Sequence, residues 1–336
     1  MPPSNSAPGA TSIRDVARRA GVSHMTVSRV LNGAENVRPA TRDQVLAAIA
    51  ELNFRPSHIA RALASGGIRT IGILDTTGGL LYGPSNTIWA IELAARRVGY
   101  SAVVAGVEPS DRDSVRQAVE HLLDQDASGL IVIGPSARAR EVVDELAPRV
   151  PIVTMHGTGD ESVIIAQAAA ARVATRHLLD LGHTRIAHIA GPTHWYEATS
   201  RRQGFTDELA AAGLEPAAVE PSDWSPASGY QAATRLLERS EFSAVFCAND
   251  SIALGFIHAA TDAGLDVPAD VSVVGFDDTP ESAHYRPPLT TLRQDFAEGG
   301  RRAVLSILAA LGNDVSVPES SLVPQLVVRA STAARA

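Results

Sequence analysis

The sequence has no lysine, one cysteine, few aromatic residues and no long hydrophobic run. With lysine absent, all 29 cationic side chains are arginine, a bias that reflects base composition rather than chemistry. A Walker-type phosphate loop needs a lysine; "GGLLYG" lacks it and lacks G-x-G-x-x-G spacing, so no nucleotide cofactor is expected. The lone Cys247 excludes a disulfide framework and a cysteine-rich metal site, and fits a reducing compartment. No stretch approaches ~18 uninterrupted apolar residues, so no membrane span is expected. The opening "MPPSNSAPGATS" lacks the basic and apolar regions of a secretory signal and reads as a disordered tail. Together these absences predict a soluble, cytoplasmic protein without a cofactor.

What is present is unevenly distributed. At 336 residues and 45% apolar content, the chain can form two or three compact units. Residues 1–69 hold nine arginines against four acids, a net of +5. The remaining 267 residues hold 20 arginines against 33 acids, a net of -13. A basic head on an acidic body points to a polyanionic partner for the head alone.

The first sixty residues read as helices joined by tight turns. "SIRDVARRAG" opens with a capping box, Ser12 with Asp15, and stops at Gly21. Ser23 caps the next helix, with Val22 and Val27 placed as a hydrophobic staple. A third helix starts near Pro39 and presents Val45, Ile49 and Leu52 on one face. From Thr70 the rhythm changes to short apolar runs alternating with amphipathic segments. The runs are "TIGIL", "SAVVAGV", "GLIVIG" and "PIVTM", then "RIAHIAG", "SAVFCAN" and "VSVVGFD". Buried parallel strands with helical crossovers, in two successive sets, predict two doubly wound α/β lobes with a cleft between them. "RPSHIARALASGG" joins head and body; Ser57 caps a helix too short to be stable alone.

The stretch "AGVSHMTVSRVLNG" carries the most specific local signal. From the cap at Ser23, Val27, Val30 and Leu31 form a buried stripe. His24, Met25, Ser28 and Arg29 then share the exposed side. Helix, short turn through Gly21, and helix with a polar N-terminal face is the helix-turn-helix plan, whose second helix enters the DNA major groove. Arg29 suits a bidentate contact to guanine, His24 can donate or accept, and Met25 offers apolar contact to a thymine methyl. Ser23, Thr26 and Ser28 suit phosphates. The alternative is an ordinary surface helix. Leu63, on the short joining helix, fits either a wedge in the minor groove or packing on the adjacent lobe.

Other constellations lead nowhere catalytic. His183 and His188 are five apart across a turn and a strand, with His177 on the preceding helix, which is poor geometry for a metal. Asp277 and Asp278 have no G-x-S-x-G elbow or Ser–His pairing beside them. Cys247 reads as a buried strand residue. No catalytic residue and no metal ligand is expected, and the chain does not read as an enzyme.

These residues match a known pattern. "IRDVARRAGVSHMTVSRVLNG" followed by "RPSHIARALASGGIRTIGIL" resembles the lactose-repressor (LacI/GalR) family of bacterial transcription regulators. "YGPSNT", "ATRHLLDLGH", "IAGP", "SDWSPASGY", "FCANDSIALG", "DVSVVGFDDTPES" and "PPLTTLRQDF" extend the likeness, in order, to nearly the end of the chain, within the lactose-repressor branch. The resemblance implies an N-terminal all-α helix-turn-helix head and an α/β, periplasmic-binding-protein-like core of two doubly wound parallel-sheet lobes. It places a tail at 1–10, the head at 11–55, a hinge helix and linker at 56–68, and the core at 69–330. Within the core, the N-lobe spans about 69–165 plus 293–325 and the C-lobe about 166–292.

The same resemblance assigns candidate sites. His24, Met25 and Arg29 fall where bases are read, and Leu63, with Ala60 beside it, on the hinge leucine that enters the minor groove. Ser12, Asn32 and Ser57 complete the candidate DNA contacts with Ser23, Thr26 and Ser28. Met25 replaces a residue usually polar, so operator preference is its own. Effector-pocket positions are Tyr82, Arg201, Trp224, Asn249, Asp277, Gln294 and Phe296, with His156 where an acidic sugar ligand is usual. Ala166 and Ala170 replace the family's Asp and Gly near the lobe crossing. Such a pocket suits a sugar: polar side chains bond vicinal hydroxyls, Trp224 offers a flat face, and no aromatic sandwich for a purine is evident.

The expected partners are operator double-stranded DNA, a small sugar such as a β-galactoside or β-glucoside, and a second copy of the chain. With no leucine heptads beyond "LVVRASTAARA", a dimer rather than a tetramer is expected. Two alternatives stay open at this stage. In one the ligand acts as co-repressor; in the other the chain binds sugar without regulating anything.

Overall fold

Gly21 ends the first helix because it takes a left-handed backbone (φ 65°) that other residues resist. In the computed structural model, α1 (Ile13–Ala20) starts from the Ser12–Asp15 capping box. It is followed by α2 (His24–Leu31) and α3 (Pro39–Glu51). The structure describes residues 11–31, 37–54, 69–79, 81–107, 111–134, 137–146, 149–155, 162–163 and 166–335. The chain divides into two units, Met1–Arg69 and Thr70–Ala336.

In the first unit Val16, Ala17, Val27, Val30, Val45, Ala48 and Phe54 form one small core. Val27 and Val30 are buried as their spacing predicts, whereas Leu31 is only half-buried because it ends its helix. Ser23 caps α2 by accepting from the Thr26 amide at 3.1 Å.

The second unit begins with a five-stranded parallel sheet, spatial order β2-β1-β3-β4-β5. Its elements are β1 (Thr70–Asp75), α4 (Tyr82–Arg97), β2 (Ser101–Gly106), α5 (Arg112–Asp124), β3 (Ala127–Ile133), α6 (Ala137–Leu146), β4 (Ile152–Met155) and β5 (Ser162–Val163). Strand residues alternate between two cores. Ile71, Ile73, Ile131 and Ile133 face one helical layer, and Leu74, Leu130 and Val132 the other. Burial on both faces is why these strands read as continuous apolar runs. Strand β2 lies at the sheet edge, and its Val104 stays 45% exposed.

The second lobe is a four-stranded parallel sheet, order β7-β6-β8-β9. It comprises α7 (Gln167–Asp180), β6 (Ile186–Ala190), α8 (Tyr196–Ala211), β7 (Ala218–Pro221), α9 (Pro226–Arg239), β8 (Ala244–Cys247), α10 (Asp250–Asp262) and β9 (Ser272–Val274). The chain then crosses back through β10 (Thr291–Arg293) to α11 (Phe296–Ala310), which packs on the first sheet through Ala303, Val304 and Ile307. Strand β11 (Gln325–Val327) pairs antiparallel with β10. Residues past 330 belong to the second lobe: Val273 donates to the Ser331 carbonyl, and Arg335 to that of Leu181, each at 2.8 Å.

The histidines considered for metal binding have structural partners. His183 is buried, with its ring nitrogens at 2.9 Å from the Ser243 hydroxyl and 3.1 Å from that of Ser272. His188 is stacked on Phe246 and bonded through Nδ1 to the Phe246 carbonyl at 2.8 Å. Burial pushes its imidazole down to about 4, so it stays neutral.

Helices α9 and α10 touch through their backbones. A methyl group on Gly255 would lie 2.1 Å from the Pro226 carbonyl oxygen and 2.6 Å from the Tyr230 nitrogen, so the helices must separate to admit one. Gly255→Ala is therefore expected to destabilise the second unit by ~1–3 kcal/mol or more, read by chemical denaturation. Unchanged stability would mean that the pair repacks without strain.

Candidate functional site

The two lobes of the second unit meet at a cleft. From the first lobe it is lined by the turn after β1 and the first turn of α4. Asp75 fixes that turn by accepting from both the amide (3.0 Å) and the hydroxyl (2.6 Å) of Thr77. Tyr82, the first residue of α4, meets Phe296, the first residue of α11, edge to face at 5.8 Å.

The second lobe supplies the charge. Arg201 on α8 is 4% exposed, and its guanidinium lies 3.7 Å from the Phe276 ring centre and 5.6 Å from that of Trp224. Its Nε donates to the Gln167 amide oxygen at 2.8 Å, and Nη1 donates to the Ala248 carbonyl. Gln167 donates in turn to Gln294 at 3.1 Å, and Gln294 to Asp277 Oδ1 at 2.7 Å. Asp277 Oδ1 stands 3.9 Å from Arg201 Nη2, which closes a ring of four buried side chains. Burial pushes the Asp277 carboxyl up to about 6, against the pull of Arg201 and of the Gln294 amide.

Two of these side chains stand on strained backbone. Trp224 has φ 77° and Asp277 φ 107°, left-handed conformations that non-glycine residues adopt at a cost of ~1–3 kcal/mol each. Trp224 is held by contacts on both sides. Its carbonyl accepts from Asn249 Nδ2 at 3.1 Å, and its ring meets Trp195 edge to face at 5.6 Å. Asn249 also caps α10, its Oδ1 accepting from the Ile252 amide at 2.7 Å.

The structure thus brings Tyr82, Arg201, Trp224, Asn249, Asp277, Gln294 and Phe296 to one cleft. His156 lies outside the described residues. Asn249 and Gln294 are already engaged within the protein, so each has less hydrogen-bonding capacity to offer than its residue type implies. The sequence reading missed Trp195 and Glu197, which line the same cleft, and Gln167, which braces Arg201 from behind the lining. The four-residue spacing of Glu197 and Arg201 on one helix face is a signal that was available for Glu197.

In the first unit His24, Met25 and Arg29 are exposed on α2, Met25 at 58%, while Thr26 and Ser28 are half-buried. Ser12 and Ser23 are exposed at their caps. Asn32, Ser57, Ala60 and Leu63 lie outside the described residues.

Comparison with known proteins places this geometry. The model for bacterial regulatory proteins of the lacI family matches residues 12–57, and that for a periplasmic binding protein-like domain matches 175–332. The lactose operon repressor of Escherichia coli (strain K12) is 39% identical over 323 residues, covering 95% of this chain and 89% of that protein. The chain belongs to the lacI family. It is a DNA-binding transcriptional regulator, and its relatives are repressors rather than enzymes.

The transcriptional repressor PurR of Haemophilus influenzae (strain PittEE) is 35% identical to the regulator over 331 residues, 95% of this chain and 98% of that one. Among solved structures, a lac repressor dimer bound to operator and the anti-inducer ONPF superposes with a TM-score of 0.85 at 37% identity, over 97% of this chain and all of that one. A CelR–cellobiose complex gives 0.70 at 30% identity, over 96% and 99%. No helix among the described residues is long and apolar enough to cross a membrane.

Asp250 at the start of α10 supports the cleft from within. Its two oxygens accept from the Thr291 hydroxyl (2.5 Å) and the Thr279 amide (2.8 Å), and burial, then Asp277, pushes its carboxyl up to about 7. A carboxyl raised on folding costs stability where it is ionised, and the cost is relieved as pH falls through 7 towards its ordinary 3.8. Asp250→Asn keeps an acceptor for Thr279 and can donate to Thr291. It is expected to be more stable than the parent by roughly a few kcal/mol at pH 8. That gap should narrow steadily down to pH 4 in urea titrations, and a gap independent of pH would refute the assignment.

Proposed function

We propose that the regulator is a cytoplasmic homodimeric repressor that binds a near-palindromic operator, one α2 per half-site, and is released by a sugar closing on the cleft. The observation that carries this reading is the cleft itself. It joins a buried arginine–aspartate pair, amide groups and two indole rings at the junction of two lobes. Carboxylate and amide groups suit ligand hydroxyls, and indole faces suit the C–H face of a pyranose. A β-linked galactoside or glucoside fits that chemistry, in keeping with the cellobiose bound by CelR. Stacking a planar purine calls for parallel rings. The aromatic pairs here, Tyr82–Phe296 and Trp195–Trp224, are both edge to face.

DNA contact follows from the head. Arg29, His24 and Met25 are exposed on the side of α2 opposite its buried valines, where they can reach base edges. Ser12, Ser23, Thr26, Ser28, Asn32 and Ser57 would hold phosphates, and Leu63, flanked by Ala60, would wedge a central base step. Trp89, Val98 and Val104 leave an apolar surface along α4 and the edge strand β2 that suits a second copy of the chain. The relative crystallised with operator is likewise a dimer.

The ligand must bind the two states unequally to act at all. A gel shift on the regulator's own promoter region, against a panel of β-galactosides, β-glucosides and other sugars, tests the reading. Release by one of them is expected; tighter DNA binding would make the sugar a co-repressor, and no effect from any would remove the sugar from the mechanism.

Arg201→Ala should abolish the response while leaving DNA binding intact, and loss of both would indicate misfolding. Arg29→Ala should cost ~1–3 kcal/mol of operator discrimination with little change in nonspecific affinity. Leu63→Ala should likewise lower the specificity ratio, and an unaltered ratio would count against the wedge.

A further inference from the structure

The cleft holds more negative than positive charge. Its charged lining residues, among those described, are Glu197, Arg201 and Asp277. Glu197 stands one helical turn before Arg201 on α8, and both are buried, at 8% and 4% exposure. The single cation is committed. Its Nε and Nη1 are bonded to Gln167 and to the Ala248 carbonyl, its plane lies over Phe276, and Nη2 faces Asp277. The opposite wall registers the same field: the Tyr82 phenol is pushed up by burial and then by Asp277, Asp278, Glu281 and Asp250.

We propose that Glu197 is a specificity residue that restricts the cleft to uncharged sugars and rejects their phosphorylated or carboxylated counterparts. The proposal rests on the cleft being the effector site. Neutral hydroxyls can donate to the Glu197 and Asp277 carboxylates and leave the Arg201 bonds in place. A phosphate brings about -1.5 to -2 charges and only acceptors, so it meets two carboxylates with no donor to offer. Drawing Arg201 away from Asp277 would strand a buried carboxylate. Like unit charges at ~5 Å under an effective dielectric of ~20 disfavour binding by roughly a few hundred-fold, of which screening by salt leaves at least about tenfold.

The test uses the full chain with lactose and cellobiose as neutral probes and lactose 6-phosphate and cellobiose 6-phosphate as charged ones, in calorimetric titrations. The parent is expected to prefer neutral sugars at least tenfold, Glu197→Gln to cut that preference about tenfold, and the charge-keeping Glu197→Asp to preserve it. Equal binding of both classes by the parent, or an unaltered preference in Glu197→Gln, overturns the proposal.

If no sugar binds, the sugar reading itself fails, and a ligand-free arm decides the matter. The chain has three tryptophans, and in a Trp89→Phe background the remaining indoles, Trp195 and Trp224, both line the cleft. The ratio of iodide to acrylamide quenching should rise at least threefold with Glu197→Gln and stay low with Glu197→Asp. A ratio that does not move with Glu197→Gln overturns the proposal.

Discussion

The buried pair Arg201 and Asp277 is the constraint around which the core is arranged. Taking two charges out of water costs several kcal/mol per ion, and a contact at 3.9 Å does not recover it by attraction alone. Part of the remainder comes from hydrogen bonds supplied by Gln167, Gln294 and the Ala248 carbonyl. Both glutamines sit where the chain passes between lobes, at the start of α7 and just before α11. The Ala166 amide, one residue earlier, donates to the Leu322 carbonyl on the third crossing at 2.8 Å. Whatever draws on Arg201 or Asp277 in the cleft therefore pulls on bonds that hold the lobe crossings. A ligand and the relative position of the lobes compete for the same few donors and acceptors, which is the physical content of coupling between them.

The strain at Trp224 and Asp277 belongs to the same economy. Both residues adopt left-handed backbones on loops after short strands, where no ladder of bonds enforces a conformation. What holds them is side-chain bonding to a helix start: Asn249 caps α10 and grips the Trp224 carbonyl, and Asp250 beside it holds the loop after β9 through the Thr279 amide. One dipeptide at a helix N-terminus thus sets two walls of the cleft, and removing Asn249 would lose a cap and an aromatic wall together.

How much of this was legible from sequence differs by layer. All seven apolar runs from "TIGIL" to "VSVVGFD" are strands; burial on both faces keeps the inner ones almost wholly apolar, and the edge strand β2 keeps its run although half-exposed. β7 (Ala218–Pro221) and the pair β10 and β11 were not legible: they are short, half-exposed or at an edge, so their composition carries no period. In the head, cap chemistry is local, and Ser12, Gly21 and Ser23 are where it predicts. The site is different. Resemblance named its aromatic and charged members one by one, but their partners come from afar: Gln167 meets Arg201 across 34 residues and Gln294 across 127. Nothing local in "VIIAQAAAAR" distinguishes Gln167 from a solvent-facing residue at a helix start, and only the fold makes it a brace.

The division of charge has a consequence that neither unit has alone. A head of +5 is drawn to a polyanion, while a body of -13 is repelled by it. Attraction acts within about a Debye length of the phosphates, ~8 Å at physiological salt, so encounters that lead with the head are favoured and those that lead with the body are turned away. The body can therefore carry its cleft without adding nonspecific DNA affinity. Raising salt weakens both effects together, so the head loses attraction as the body loses repulsion. Relief of the body's repulsion offsets part of the head's lost attraction, so the salt dependence of binding by the whole chain should be shallower than phosphate contacts of the head alone would produce.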